Sequence, residues 1–150
     1  MKKLELKHLA PYLPYNLKVF DDYYSEIRYL AALAFSDCGI VKQLHYPSQT
    51  REYNEIKPIL HPLSDLTKEI EHNGEKFKPF DELSNFLYIT EKDNFDTVLS
   101  ARLWVETMIL YRPDCLTLPF NVVQKLFEWH FDVFGLIKDG LAIDINTIKQ

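Results

Sequence analysis

The sequence predicts an α+β fold, a single compact domain in which antiparallel N-terminal strands pack against C-terminal helices. Two patterns carry that expectation: β-branched and aromatic runs separated by turn residues dominate the first 60 positions, and apolar residues recur at helical spacing in the second half. Composition agrees. A chain of 150 residues with 47% hydrophobic and 14% aromatic residues can bury an ordinary core, and 26% charged residues is usual for a water-facing surface.

After a start broken by Pro11 and Pro14, Leu17-Lys18-Val19-Phe20 alternates apolar with polar as a half-buried strand does. Ile27 to Phe35 and Ile40 to Tyr46 follow as strand candidates around a turn at Asp37-Cys38-Gly39, although the Leu and Ala content of the first also suits a helix. Pro47 to Asn54 is polar and reads as a loop. Glu55 to Leu60 is extended because Pro58 and Pro62 keep the residues before them out of the helical region. Ser64 or Asp65 can cap a short helix over Leu66 to Ile70. Asn73-Gly74 is the clearest turn signal, since both residues accept a positive φ.

A helix is expected from Asp81, and another from Phe95 to Tyr111 with Asp93 or Asn94 as its cap. In the second, Val98, Ala101, Val105, Met108 and Ile109 share one face, Arg102 and Glu106 sit at i, i+4, and Leu99, Leu103 and Leu110 make a second apolar stripe. The last helix is expected from a Thr117 cap to a Gly135 stop, with Pro119 in its first turn. Asn121, Gln124, Lys125, Glu128 and Asp132 fall within an arc of roughly 100°. The rest is apolar over about 200°, so such a helix must be covered on two sides. Leu141 to Asn146 alternates as an edge strand does.

Chemistry-bearing patterns are few. The four glycines form no phosphate loop, and His8, His45, His61, His72 and His130 lack metal spacing. Cys38 and Cys115 are the only cysteines and read as reduced, structural thiols. His130 beside Glu128 and Asp132 suggests an acid–base set, but on a continuous helix both acids face the polar arc and the histidine the apolar one, which favours a core or interface histidine. Asp37 with Glu55-Ile56-Lys57 matches the D…E-x-K pattern of metal-dependent nucleases, in which two carboxylates hold Mg²⁺; Glu5-Leu6-Lys7 repeats the E-x-K by chance. No cofactor is expected.

The net charge of −5, with Glu55, Asp65, Glu69, Glu71 and Glu75 concentrated in the middle, disfavours direct contact with nucleic acid and suits a basic partner. The chain carries no leader-like start and no apolar run near the ~18 residues of a membrane span, so a cytoplasmic protein is expected. Candidate interface residues are Trp129 and Phe131, at the edges of the apolar arc, and the acids Glu69, Glu71 and Glu75. Phe127 belongs to the core. A homodimer through the exposed part of the last helix is a further possibility.

Two segments, Pro58-Ile59-Leu60-His61-Pro62-Leu63-Ser64-Asp65-Leu66-Thr67-Lys68-Glu69-Ile70 through Phe77, and Gln124-Lys125-Leu126-Phe127-Glu128-Trp129-His130-Phe131-Asp132 through Asn146, resemble a group of small bacteriophage and prophage proteins. The resemblance covers about a third of the chain and brings no site residues with it. It implies an accessory protein of a mobile element that works by occupying the surface of a host protein. By analogy, that host protein is a nucleic-acid-directed defence enzyme, which makes the chain an inhibitor of anti-CRISPR type.

Overall fold

The computed structural model describes residues 3–36, 39–44, 50–51, 55–90, 97–111 and 118–148. Strands β1 (Lys18–Asp21), β2 (Glu26–Ser36), β3 (Gly39–Leu44), β4 (Thr50–Arg51), β5 (Ile56–Leu60) and β8 (Ile143–Asp144) form one sheet in the order β4-β3-β2-β1-β5-β8. The strand reading of residues 27 to 35 therefore holds over the helical one. All neighbours are antiparallel except β5 and β8, which run parallel. β4 lies within the expected 47–54 loop. Asp37 and Cys38 at the β2–β3 turn, together with His45, Asp93, Asn94, Cys115 and Thr117, fall outside the described residues.

Pro58 sits inside β5 without breaking it. The amide of Asp22 donates to Glu55 O, which makes the Val19–Pro58 pair, three steps further on, a non-hydrogen-bonded one. No β1 carbonyl therefore asks for the missing N–H. Alternation places Leu17, Val19, Leu30, Ile56 and Leu60 on the buried side, where they pack with Leu4, with Leu9 of helix α1 (Leu6–Leu9) and with Tyr12 of the 3-10 turn Ala10–Tyr15 that continues it.

The second core is helical, formed by α2 (Pro79–Thr90), α3 (Val98–Tyr111) and α4 (Phe120–Glu128). α2 begins with Pro79 in its first turn, where a missing N–H costs nothing. At the start of α3, Thr97 Oγ1 accepts from Ser100 N at 3.1 Å and Ser100 Oγ from Thr97 N at 3.2 Å, a reciprocal cap in place of one at Asp93 or Asn94. Ala101 and Val105 face inward as the spacing predicts, whereas Val98 is 39% exposed.

Residues 63 to 77 differ from expectation. A 3-10 turn covers Leu63–Thr67, and Ile70–His72 is strand β6, paired with β7 (Glu75–Phe77). Asn73 (φ 53°) and Gly74 (φ 83°) form the turn between them. The tight hairpin draws Ile70 out of any helix, and Ile70 reaches the core against Phe77.

The last helix is shorter than its periodicity suggests. α4 stops at Glu128 because His130 adopts a left-handed backbone (φ 58°): its amide donates to Phe127 O and that of Phe131 to Leu126 O, the paired bonds of a Schellman ending. Tertiary hydrogen bonds reinforce the stop. His61 N donates to His130 O at 2.8 Å, Asp132 N donates to His61 O at 2.9 Å, and the Tyr12 hydroxyl donates to Phe131 O at 2.6 Å. Gly135 (φ 71°) serves the following turn instead, where Asp132 accepts from Leu136 N and Ile137 N, both at 2.8 Å. Coverage from two sides does occur, since Val122, Val123 and Leu126 join the helical core while Phe127 touches both cores.

Replacing Tyr12 by Phe should cost about 1 kcal/mol, because the buried carbonyl of Phe131 loses one of its two donors and keeps only Val133 N. Urea unfolding of the two proteins measures the difference; equal midpoints would show the bond to be worth nothing.

Candidate functional site

Two places on the molecule could carry function: the polar junction where sheet and helices meet, and the apolar surface of α2 and α3. At the junction, Asp65 is 2% exposed inside its 3-10 turn. Its Oδ1 accepts from Lys68 Nζ at 2.7 Å and its Oδ2 from Asn146 Nδ2 at 2.6 Å, so it ties the 3-10 turn Ile145–Thr147 that follows β8 to the turn after β5 and caps nothing. Burial alone would raise its pKa. Hydrogen bonds from Lys68 and Asn146, with the charges of Lys68 and His61, outweigh burial and hold the carboxyl below its ordinary value.

His61 immediately follows β5 and is also buried; its Nδ1 lies 3.6 Å from Asp65 Oδ2, beyond hydrogen-bonding reach. His130 Nε2 is 2.7 Å from the carbonyl of Tyr15, which can only accept, so that nitrogen carries the proton. The His72 ring stands edge-on to His130 with centroids 5.1 Å apart. Three of the five histidines, scattered in sequence, thus meet at one junction. Burial lowers the pKa of each, that of His130 to about 4.

These groups are arranged as ties. Asp132 is buried, and its carboxylate is engaged by two backbone amides; burial raises its pKa against those bonds. The Glu128–His130–Asp132 set is dispersed by the end of α4: Glu128 pairs with Lys125 at 2.9 Å, His130 turns to Tyr15, and Asp132 caps the next turn. Among the described residues, no group of three or more His, Cys, Asp or Glu side chains could hold a metal ion. Of the nuclease-like set, Glu55 immediately precedes β5 and Lys57 lies within it opposite Phe20, while Asp37 is outside the described residues.

The expected interface residues are redistributed. Trp129 (7% exposed) and Phe131 (0%) are core residues: the α4 ending turns Phe131 inward onto Leu126, and Trp129 packs against Phe77 with ring centroids 5.1 Å apart. Neither can line a surface. Glu69, Glu71 and Glu75 are all exposed around the β6–β7 hairpin, but Glu71 pairs with Lys76 and Glu75 with His72. Adjacent cross-strand pairs point to opposite faces, so these acids do not form one patch.

Exposed apolar side chains lie elsewhere: Tyr23, Tyr24, Ile27 and Tyr29 at the β1–β2 hairpin, and an aliphatic group on α2 and α3. Leu99 (64% exposed) and Leu103 (56%) stand one turn apart on α3, with Val98 beside them and Ile89 (64%) at the end of α2. Arg102 borders them, bonded to Glu106 at 3.2 Å and to Asp81 of α2 at 3.0 Å. Leu99 and Leu103 were visible in the sequence as a second apolar stripe; Ile89 was not. Phe120, 80% exposed at the start of α4, is the one part of that helix open enough to serve the dimer reading. No described helix is long and apolar enough to cross a membrane. No family model, curated protein or solved structure matches the chain.

Asp65→Ala should cost about 1–2 kcal/mol, since it removes a buried acceptor from Lys68 and one of the two acceptors of Asn146. The carboxyl's contribution is present above pH 3.8 and is lost as pH falls through its lowered folded pKa. Denaturant unfolding at pH 7 and pH 3 measures both effects, and the gap between the two proteins should narrow at pH 3.

Proposed function

We propose that this chain is a non-enzymatic interaction protein that acts by occupying a surface of another protein. The observation that supports the reading best is the group of aliphatic side chains on α2 and α3. Ala101 and Val105 already satisfy the inner face of α3, yet Leu99 and Leu103 present a second apolar stripe to water, and Ile89 of α2 is exposed as well. Single exposed aliphatic residues are ordinary; several on neighbouring elements mark contact surfaces.

The kind of partner follows from charge and resemblance. A net charge of −5, with Asp81 and Glu106 at the stripe's border, favours a basic protein surface. The resemblance to small phage and prophage proteins favours a host protein, and a nucleic-acid-directed defence enzyme combines both properties. The chain is then an inhibitor that needs no metal, cofactor or direct contact with nucleic acid.

Leu99→Glu with Leu103→Glu tests this. Both sites are exposed, so the double variant should keep its stability within about 1 kcal/mol while losing at least tenfold in binding. The assay is transformation of a plasmid targeted by an RNA-guided nuclease in cells expressing either protein, with binding to the purified nuclease measured alongside. Protection by the native chain and none by the variant is expected. Equal behaviour of the two would remove the stripe from the mechanism. Cleavage of DNA or RNA by the native chain in Mg²⁺ or Mn²⁺, abolished by Glu55→Ala, would replace the proposal with an enzymatic one.

A further inference from the structure

We propose that His61, His72 and His130 form an acid-sensitive latch between the sheet and the helices, closed while the imidazoles are neutral and opened when they take up protons. The three rings come from the end of β5, from β6 and from the residue after the α4 cap, so the junction is made of elements far apart in the chain. His61 joins the two halves through its own backbone, donating to His130 O and accepting from Asp132 N. His130 joins them again through its side chain, donating to the Tyr15 carbonyl in the 3-10 turn before β1. One cluster therefore holds β5, the N-terminal turn and the α4 ending together.

The surroundings of each ring decide how it meets a proton. His130 faces His72, His61 and Lys18 of β1, all of them bases, and the Tyr15 carbonyl engages its Nε2. His72 faces Glu128 of α4 and Lys18. His61 faces Asp65 in the 3-10 turn, Asp144 of β8 and His72. A proton on His61 or His72 meets a carboxylate as well as a base. A proton on His130 meets only basic side chains, with the Tyr15 carbonyl alone to favour it. His130 is thus the weak point of the closed state.

Burial lowers all three pKa values, with His130 near 4 against an ordinary 6.5. Between those values the opened junction binds more protons than the closed one, so acid favours opening. The closed state keeps its full advantage above about pH 6.5 and loses it as pH falls toward 4.

Amide hydrogen exchange on the full chain between pH 7.5 and 4.5, corrected for intrinsic exchange, is the test. The amides of His61, Phe131 and Asp132 should lose at least tenfold in protection at the acid end while the β1–β2 ladder keeps its own. His130→Gln should move that loss to lower pH, because the glutamine amide nitrogen reaches as far as the imidazole Nε2, can donate to Tyr15 O and does not titrate. Should that variant fail to fold, His72→Gln removes the neighbouring base and should move the loss in the same direction. Protection at the junction that is independent of pH, loss shared equally with β1 and β2, or an unchanged midpoint in the variants would each overturn the latch.

Discussion

The structure depends on two backbone hydrogen bonds made by His61, one to the carbonyl of His130 and one from the amide of Asp132. They join the end of β5 to the chain just past α4, across 68 intervening positions, and they set where α4 ends. A carbonyl and an amide engaged by β5 cannot also serve a continuing helix, so the chain leaves the helical path at His130. A left-handed non-glycine residue costs roughly 1–2 kcal/mol. The two bonds of the Schellman ending, the pair at His61 and the Tyr12 hydroxyl on Phe131 offset it.

With the path of residues 130 to 132 fixed, much else follows. Phe131 turns onto Leu126 and fills the helical core, and Asp132 is carried inside, where its carboxylate is tolerable only because backbone amides meet it. Phe127 is left where both cores can reach it, which makes α4 the wall between them. Further along, β8 contributes only two residues to the sheet and is held by Asn146 on Asp65. So short an edge strand, fastened by a side-chain bond, offers little template for a foreign strand.

Local signals made most of the fold legible. Alternation found β1 and the region of β8, apolar and β-branched runs found β2 and β3, prolines marked β5, and Asn73-Gly74 fixed the hairpin turn, because each of these depends on neighbours within a few residues. What escaped were features decided at long range. The apolar run through Phe134 has helical periodicity, and nothing near it in sequence announces that His61 will claim the backbone at 130 and 132. The same blindness made Trp129 and Phe131 candidates for a surface, since their arc positions assumed a helix that had already ended. The meeting of His61, His72 and His130 has no spacing to betray it. Asp65 looked like a cap because its real acceptor role is toward Asn146, 81 positions away. The stripe of Leu99 and Leu103 was visible as a second apolar face on α3, but which of its two faces would be covered depended on α2.

That stripe also bounds the kind of contact this protein can make. Fully burying a leucine or isoleucine is worth roughly 1.5–3 kcal/mol, and Leu99, Leu103 and Ile89 begin partly covered, so together they can supply only about 3–5 kcal/mol. Association of two proteins costs on the order of 4–15 kcal/mol in lost freedom before any contact is counted. A partner touching the aliphatic residues alone would not stay bound. Stable binding needs further contact around the stripe, and the polar groups nearest to it are Arg102, Asp81 and Glu106, already paired with one another on the surface. Exposed pairs of this kind contribute little to folding, so exchanging them for partner contacts costs the fold little. On the proposed function, a basic partner surface would take Asp81 and Glu106 from Arg102 as the leucines are covered, and the ion pairs would then be a rim that disfavours acidic surfaces around an aliphatic centre.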